Sequence, residues 1–122
     1  MITADREFEK ELFSTANKLR GKIAPSEYKH YVLPLIFLRY LSLKHEQRKE
    51  EMEQFATIVD SEYYKMTEED FQKALEDPEE YSKVNIFFIP KEARWNNLLR
   101  WSESPEIKKT VDNAMAILEE RY

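Results

Sequence analysis

The sequence predicts an all-α fold, a single-domain helical bundle of about five helices with a buried central helix and one short extended arm. Apolar residues recur at helical spacing in most of the chain. Only residues 84–89 have the composition of a strand, and one strand forms no sheet without a partner. The length of 122 residues fits one domain with a sizeable core.

A first helix is predicted over residues 5–20, because its apolar residues recur every three or four positions. Gly21 follows, at the position where a glycine in the left-handed conformation commonly ends a helix. The residues of the predicted apolar face are Phe8, Leu12, Ala16 and Leu19, widened by Phe13.

A long second helix is predicted to begin at Pro25, because proline suits the first position of a helix. It is expected to continue through the apolar run 31–43 and the charged tract 44–54, buried in its middle and solvated at its end. Pro34 lies early enough for the first turns to absorb its missing N–H. The residues expected at the centre of the bundle are Leu33, Ile36, Phe37 and Tyr40.

Three shorter helices are predicted in the second half of the chain. Thr67 has the side chain of a helix cap and is followed by acidic residues, and Pro78 is expected to end that helix. Pro90 is expected to open the next helix, which carries Trp95. Ser104 caps the last helix. The predicted buried stripe of that helix is Ile107, Val111, Ala114 and Leu118.

Two connecting segments also have predicted roles. Residues 84–89 are expected to lie as an extended arm against the helices, pinned there by Phe87 and Phe88. A second segment is expected to be a solvated acidic loop that ends a helix, because it has no histidine and no metal-binding spacing. Its acidic residues are Glu76, Asp77, Glu79 and Glu80.

The composition excludes several classes of site. The chain has no cysteine, so it forms no disulfide and no thiolate metal site. Its one glycine provides no phosphate-binding loop, because such loops need several glycines for close backbone approach. The net charge of −5 opposes strong non-specific DNA binding, so any DNA contact must be local or shared with another chain.

The N-terminus lacks the pattern of a secretory signal. The apolar run 31–43 is also shorter than the roughly 20 residues that a membrane-spanning helix needs. We therefore expect a cytoplasmic protein with no membrane partner.

Three segments carry a resemblance to a known family. They are LRGKIAPSEYKHYVLPLIFLRYLS at residues 19–42, FIPKEARW at residues 88–95, and residues 107–119 around VDNAM. In this order they resemble the N-terminal helical domain of the methylation (M, HsdM-type) subunit of type I restriction-modification DNA methyltransferases. The resemblance covers nearly the whole chain, so residues 1–122 are interpreted as one such domain.

The resemblance implies a role inside a larger enzyme of a bacterial defence system. In that family a following catalytic domain binds S-adenosylmethionine and methylates adenine in DNA. The M subunit works with a specificity subunit, a second M subunit and, in restriction complexes, a motor-nuclease subunit. The helical domain would help to assemble the complex or close it around DNA.

The catalytic methyltransferase domain is expected to be absent from this chain. The sequence contains neither an Asn-Pro-Pro-Phe-like tetrapeptide nor a glycine-rich methyl-donor motif. We therefore expect no catalytic, cofactor-binding or metal-binding residue here and no methyl transfer by the chain alone. S-adenosylmethionine would be the cofactor of the full-length protein.

Five basic residues around the first helix junction are the candidate contact with DNA or with another subunit. Lysine and arginine side chains contact phosphates in protein–DNA complexes. The alternative interpretation is a solvated surface, which the negative net charge favours. The residues of this basic patch are Lys18, Arg20, Lys22, Lys29 and His30.

Other single residues have a structural interpretation beside a functional one. The two histidines, His30 and His45, are interpreted as structural, with His45 on a charged helix face. Arg39, the one charge in the apolar run, is expected either to pack its stem on the core with its head at the surface or to pair with an acid from another helix. Trp95 is expected to anchor the core rather than stack on bases, whereas Trp101 falls at a helix end.

Two other functions fit the sequence without the resemblance. A free-standing helical adaptor would have the same small helical form and acidic balance. A sequence-specific DNA-binding protein is disfavoured, because no compact helix-turn-helix with a basic recognition helix is present.

Overall fold

The computed structural model describes the backbone of residues 2–122 and the side chains from residue 9 onward, which leaves the Phe8 side chain outside the described residues. The described chain is helical and contains no strand, which confirms the predicted all-α class. One 3₁₀ turn covers Lys91–Ala93. The α-helices are α1 (Ile2–Arg20), α2 (Pro25–Phe55), α3 (Glu68–Leu75), α4 (Pro78–Ser82), α5 (Trp95–Trp101) and α6 (Ile107–Arg121).

The chain divides into two compact units. The terminal unit contains Met1–Ser42 and Ile89–Tyr122, and the central unit contains Leu43–Phe88. Helix α2 contributes its first part to the terminal unit and its second part to the central unit. No helix among the described residues is long and apolar enough to cross a membrane.

The core of the terminal unit is built from α1, α2, α5, α6 and the 3₁₀ turn. Trp95 is the largest fully buried side chain among residues 9–122, which confirms its predicted anchoring role. The predicted apolar stripe of α6 is also buried as expected. The other core residues include Leu12, Leu19, Leu35, Leu38, Ile89 and Leu98.

Polar contacts also join α2 to α6 within the terminal unit. The Tyr31 hydroxyl donates to the Asp112 carboxylate at 2.9 Å, and Lys108 pairs with Glu27 at 3.1 Å. Burial, together with the hydrogen bond to Asp112, raises the pKa of Tyr31 to about 12. The phenol therefore stays protonated at physiological pH.

The core of the central unit is rich in aromatic rings. The His45 imidazole stacks on the Tyr81 ring at 4.4 Å between centroids, and the edge of Phe88 lies 5.3 Å from it. His45 is 1% exposed, so its predicted place on a charged helix face is wrong. The stacking partners come from α4 and from the segment after it, which the sequence does not place near α2.

The ends of several helices follow the predicted capping chemistry. The Thr67 hydroxyl accepts the Asp70 backbone N–H at 3.1 Å and caps α3. The Ser104 hydroxyl accepts the Glu106 N–H at 3.1 Å in the turn before α6, but Glu106 occupies the N-cap of α6 without a side-chain capping bond, so the predicted cap by Ser104 is wrong. Pro78 does not merely end α3: it opens α4, which Asp77 caps through the Glu79 N–H.

Several other local predictions need correction. Phe13, which was expected to widen the apolar face of α1, is 63% exposed. The helix that carries Trp95 begins at Trp95 itself, because Pro90 precedes only the 3₁₀ turn. Gly21 does not adopt a left-handed conformation, and the turn after α1 closes instead through a bond from the Lys22 N–H to the Leu19 carbonyl at 2.9 Å. Asn85 adopts the positive φ, 61°, in the turn after α4. Residues 86–90 then run without regular secondary structure, with Phe88 buried as predicted but Phe87 52% exposed.

The buried face of α2 differs from the predicted one. The middle of this helix is buried as predicted, but through the positions next to those expected. Its charged end is not solvated on all sides as predicted, because His45, Arg48 and Met52 are buried. Leu33 is 72% exposed and Phe37 is 47% exposed. The residues buried along α2 are Leu35, Leu38, Arg39, Leu41, Ser42, His45, Arg48 and Met52, whereas Leu33, Ile36, Phe37 and Tyr40 lie at the surface.

Candidate interaction site at the first helix junction

The basic patch lies where α1 ends and α2 begins. Lys18 and Arg20 occupy the last turn of α1, and Lys22 lies in the connecting turn. Lys29 and His30 lie in the second turn of α2. All of them are exposed except Lys18, which is half-buried. The fold thus keeps on the surface the five residues that the sequence groups.

Two residues of the basic patch have partners within the chain. The Lys18 ammonium lies 3.4 Å from a Glu103 carboxylate oxygen. The Arg20 guanidinium lies 4.9 Å from the centre of the Tyr28 ring, within cation–π range. These contacts fix the positions of both side chains and partly neutralise Lys18.

The remaining three residues of the basic patch are open to solvent. Within residues 9–122, Lys22, Lys29 and His30 have no ion pair or side-chain hydrogen bond. An exposed lysine without an internal partner can contact a phosphate without first breaking another contact. Lys22 and Lys29 are therefore the strongest candidates for an external anion.

The charges of the chain are divided unequally between the two units. The terminal unit contains 13 basic and 11 acidic residues, a net charge of +2. The central unit contains 6 basic and 13 acidic residues, a net charge of −7. The acidic excess that opposes DNA binding thus belongs to the central unit, and the basic patch belongs to the unit with a positive balance.

Arg39 is buried in the terminal unit. One of its guanidinium nitrogens lies 3.2 Å from a Glu11 carboxylate oxygen, and the guanidinium carbon lies 5.6 Å from the Trp95 ring centre. This arrangement confirms the second predicted alternative, pairing with an acid from another helix, because Glu11 lies on α1. Trp101 remains 42% exposed, so the two tryptophans do not form a shared stacking surface.

The predicted acidic loop contains a polar network instead of only solvated carboxylates. The Glu80 carboxylate accepts the Tyr63 hydroxyl at 2.5 Å and lies 2.8 Å from the Lys83 ammonium. Arg48, which is buried, donates to the Glu80 backbone carbonyl at 3.0 Å and to the Tyr63 hydroxyl at 3.0 Å. Glu80 therefore helps to hold α2 and α4 together within the central unit.

This network shifts the pKa values of Glu80 and Lys83. Burial raises the pKa of Glu80, but hydrogen bonds from Lys83 and Tyr63 lower it by more, so the net pKa lies below its usual range. The hydrogen bond to Glu80 correspondingly raises the pKa of Lys83. The groups are thus charged and paired at neutral pH. Among the described residues, no group of three or more acidic or histidine side chains could hold a metal ion.

S-adenosylmethionine, which the resemblance implies for the full-length protein, does not fit the described residues. A methyl-donor loop needs glycines where the backbone approaches the ligand closely. Gly21, the one glycine, has room for a Cβ atom, whose nearest neighbour would be the Lys18 carbonyl oxygen at 3.7 Å. No step of methyl transfer is assigned to this chain.

A second surface feature, which the sequence did not reveal, is an exposed apolar groove in the terminal unit. It has a volume of about 690 Å³ and lies between the exposed side of α2 and Met115 of α6. We call it the α2–α6 apolar face. Its lining residues are Leu33, Pro34, Ile36, Phe37, Tyr40 and Met115.

Comparison with known proteins gives one consistent result. The HsdM N-terminal domain family matches residues 8–122. The chain is 39% identical over 116 residues to the type I restriction enzyme MjaIX methylase subunit of Methanocaldococcus jannaschii. That alignment covers 95% of this chain and 21% of the methylase subunit, so the chain spans about a fifth of the length of this curated relative. No solved structure significantly matches the present chain.

Proposed function

This chain belongs to the HsdM N-terminal domain family, and from that membership we propose that it is the non-catalytic helical domain of a type I restriction-modification DNA adenine methyltransferase subunit. Its role is to help assemble the complex or close it around DNA. The intact protein transfers a methyl group from S-adenosylmethionine to adenine in DNA. The protein works in the cytoplasm with a specificity subunit, a second M subunit and, for restriction, a motor-nuclease subunit.

The observation that supports a DNA contact is the open part of the basic patch. Lys22 and Lys29 are exposed on a unit whose charge balance is positive. Two or three lysines supply only a small electrostatic free energy, because each phosphate contact releases about one counterion. The isolated chain therefore binds DNA weakly, and the contact contributes when other subunits hold the duplex in place.

Charge reversal in the assembled methyltransferase tests this proposal. The double variant Lys22→Glu/Lys29→Glu should weaken DNA binding at every sequence. It should also reduce the slope of log affinity against log salt by about two, because about 0.9 counterion is released per phosphate contact. The measurement is DNA affinity by fluorescence anisotropy at a series of salt concentrations.

The matched control makes the same change of charge in the central unit. Lys65 and Lys73 are both exposed there, so Lys65→Glu/Lys73→Glu alters the total charge equally. The proposal expects this control to keep the affinity and salt slope of the unmodified complex. Equal effects of both variants, or no effect of either, would show that the basic patch is only a solvated surface.

A further inference from the structure

The α2–α6 apolar face is unusual for a surface because it is both exposed and without charge. Leu33 is 72% exposed, Tyr40 52% and Phe37 47%. The six residues that line the groove include no charged side chain. A contiguous apolar patch of this kind in a soluble protein commonly marks an interaction site. Its occupant must itself be apolar, which excludes the phosphate backbone of DNA.

The size of the face favours a partner that is already tethered. Partly exposed side chains of this number amount to an apolar patch on the order of a few hundred Å². Two free proteins that associate stably bury about 800 Å² each. A covalently linked partner needs less, because the linker supplies an effective concentration in the millimolar range. The face is therefore better suited to a contact within one polypeptide than to a dimer of free chains.

The position of α6 places such a tether close to the face. Met115, which lines the groove, lies six residues before Arg121, the last residue of α6. At a rise of about 1.5 Å per residue, the end of α6 lies about 9 Å along the helix from Met115. A polypeptide that continues after α6 therefore starts within reach of the face. In the methylase subunit of M. jannaschii, about four-fifths of the length lies outside the matched segment.

We propose that the α2–α6 apolar face is the docking surface for the part of the methylase polypeptide that follows this domain, through an apolar surface of that part. This inference rests on the proposed function, because it requires a longer methylase subunit. The contact determines the position of the helical domain relative to the catalytic part. It uses no residue of the basic patch.

The absence of cysteine from this chain permits a direct test by chemical labelling. Single cysteines are introduced by Leu33→Cys and, separately, Tyr40→Cys, and their reaction with a maleimide is followed by peptide mass mapping. Glu69→Cys is the control, because the Glu69 side chain lies on α3 and is 81% exposed. Each variant is made in the 122-residue chain and in the full-length methylase subunit that carries it.

The proposal expects all three cysteines to react rapidly in the 122-residue chain at any protein concentration. In the full-length subunit, the cysteines at positions 33 and 40 should react slower by about tenfold or more, because the maleimide reaches them only when the contact opens. The cysteine at position 69 should react as before. The labelling does not depend on methylation. A full-length subunit that shows this protection but methylates no DNA would contradict the proposed function and support the docking proposal.

Three results would overturn the proposal. Equal labelling of the cysteines at positions 33 and 40 in the short and full-length forms would show that nothing in the polypeptide covers the face. Protection in the 122-residue chain that increases with its concentration would assign the face to a second copy. A native reading frame that ends at Tyr122 would remove the proposed occupant altogether.

Discussion

At the scale of single residues, Ser42 and Arg48 are buried polar side chains with specific partners. The Ser42 hydroxyl accepts the Trp95 backbone N–H at 2.8 Å, and Ser42 is fully buried. Trp95 begins α5, where the backbone N–H groups have no partner inside the helix. Arg94, the preceding residue, makes no side-chain cap, so Ser42 caps α5 from α2. Such a bond contributes about 1 kcal/mol and fixes the register between two helices.

The second polar centre, around Glu80, gives a prediction about pH. Glu80→Gln should lower the free energy of unfolding by about 1–2 kcal/mol at pH 7, because it replaces a charged acceptor that is 16% exposed. The folded pKa of Glu80 is below the unfolded value, so its stabilising contribution is present above about pH 4.5. It is lost as the pH falls through the folded pKa.

The measurement is urea denaturation of the variant and the unmodified chain from pH 7 down to pH 3. The stability difference between them should shrink below about pH 4.5. Glu79→Gln is the control, because Glu79 is the neighbouring exposed carboxylate, and its effect should stay below about 0.5 kcal/mol. A difference for Glu80→Gln that does not change with pH would mean that the ion pairs of Glu80 do not contribute to stability.

At the scale of elements, most helices follow from the sequence because their apolar residues are separated by polar ones. The stripe of α6 and the cap of α3 were predicted correctly for that reason. The buried side of α2 was harder to predict, because residues 31–43 are apolar on nearly every side of the helix and do not indicate which side faces the core. We call this choice of side the phase of the helix. The phase is set by positions 35, 38, 42, 45, 48 and 52, and three of these are the polar residues Ser42, His45 and Arg48.

The corrected phase of α2 predicts opposite outcomes for two adjacent residues. Leu38→Ala should lower the free energy of unfolding of the 122-residue chain by about 3 kcal/mol, because Leu38 is 1% exposed and its removal leaves a cavity. Phe37→Ala should cost less than about 1 kcal/mol in the same chain, because Phe37 is 47% exposed. Both values come from chemical denaturation of the same preparation.

The comparison of these two variants tests the phase without reference to the other helices. A larger loss for Phe37→Ala than for Leu38→Ala would place Phe37 in the core and contradict the described orientation of α2. In the full-length subunit, Phe37→Ala should become more costly, because the α2–α6 apolar face is then covered.

At the scale of the whole molecule, the sequence predicted the all-α class correctly, whereas a contact role for the five basic residues stays a prediction. It did not predict the division of charge, because net charge is a sum over the chain and the unit boundaries come from the fold. It also missed the α2–α6 apolar face, since an exposed apolar residue in an apolar run looks like a core residue. Both features depend on long-range packing, as does the contact of His45 with Tyr81.

We propose that this domain performs no chemistry and yet is required for methylation of DNA by the intact enzyme. The most direct test removes residues 8–122 from the full-length methylase subunit and measures two properties in parallel. The first is adenine methylation of cellular DNA by long-read sequencing, and the second is binding of S-adenosylmethionine to the purified subunit. We expect methylation to be lost while binding of S-adenosylmethionine persists. Unchanged methylation in the shortened enzyme would show that the domain is not required.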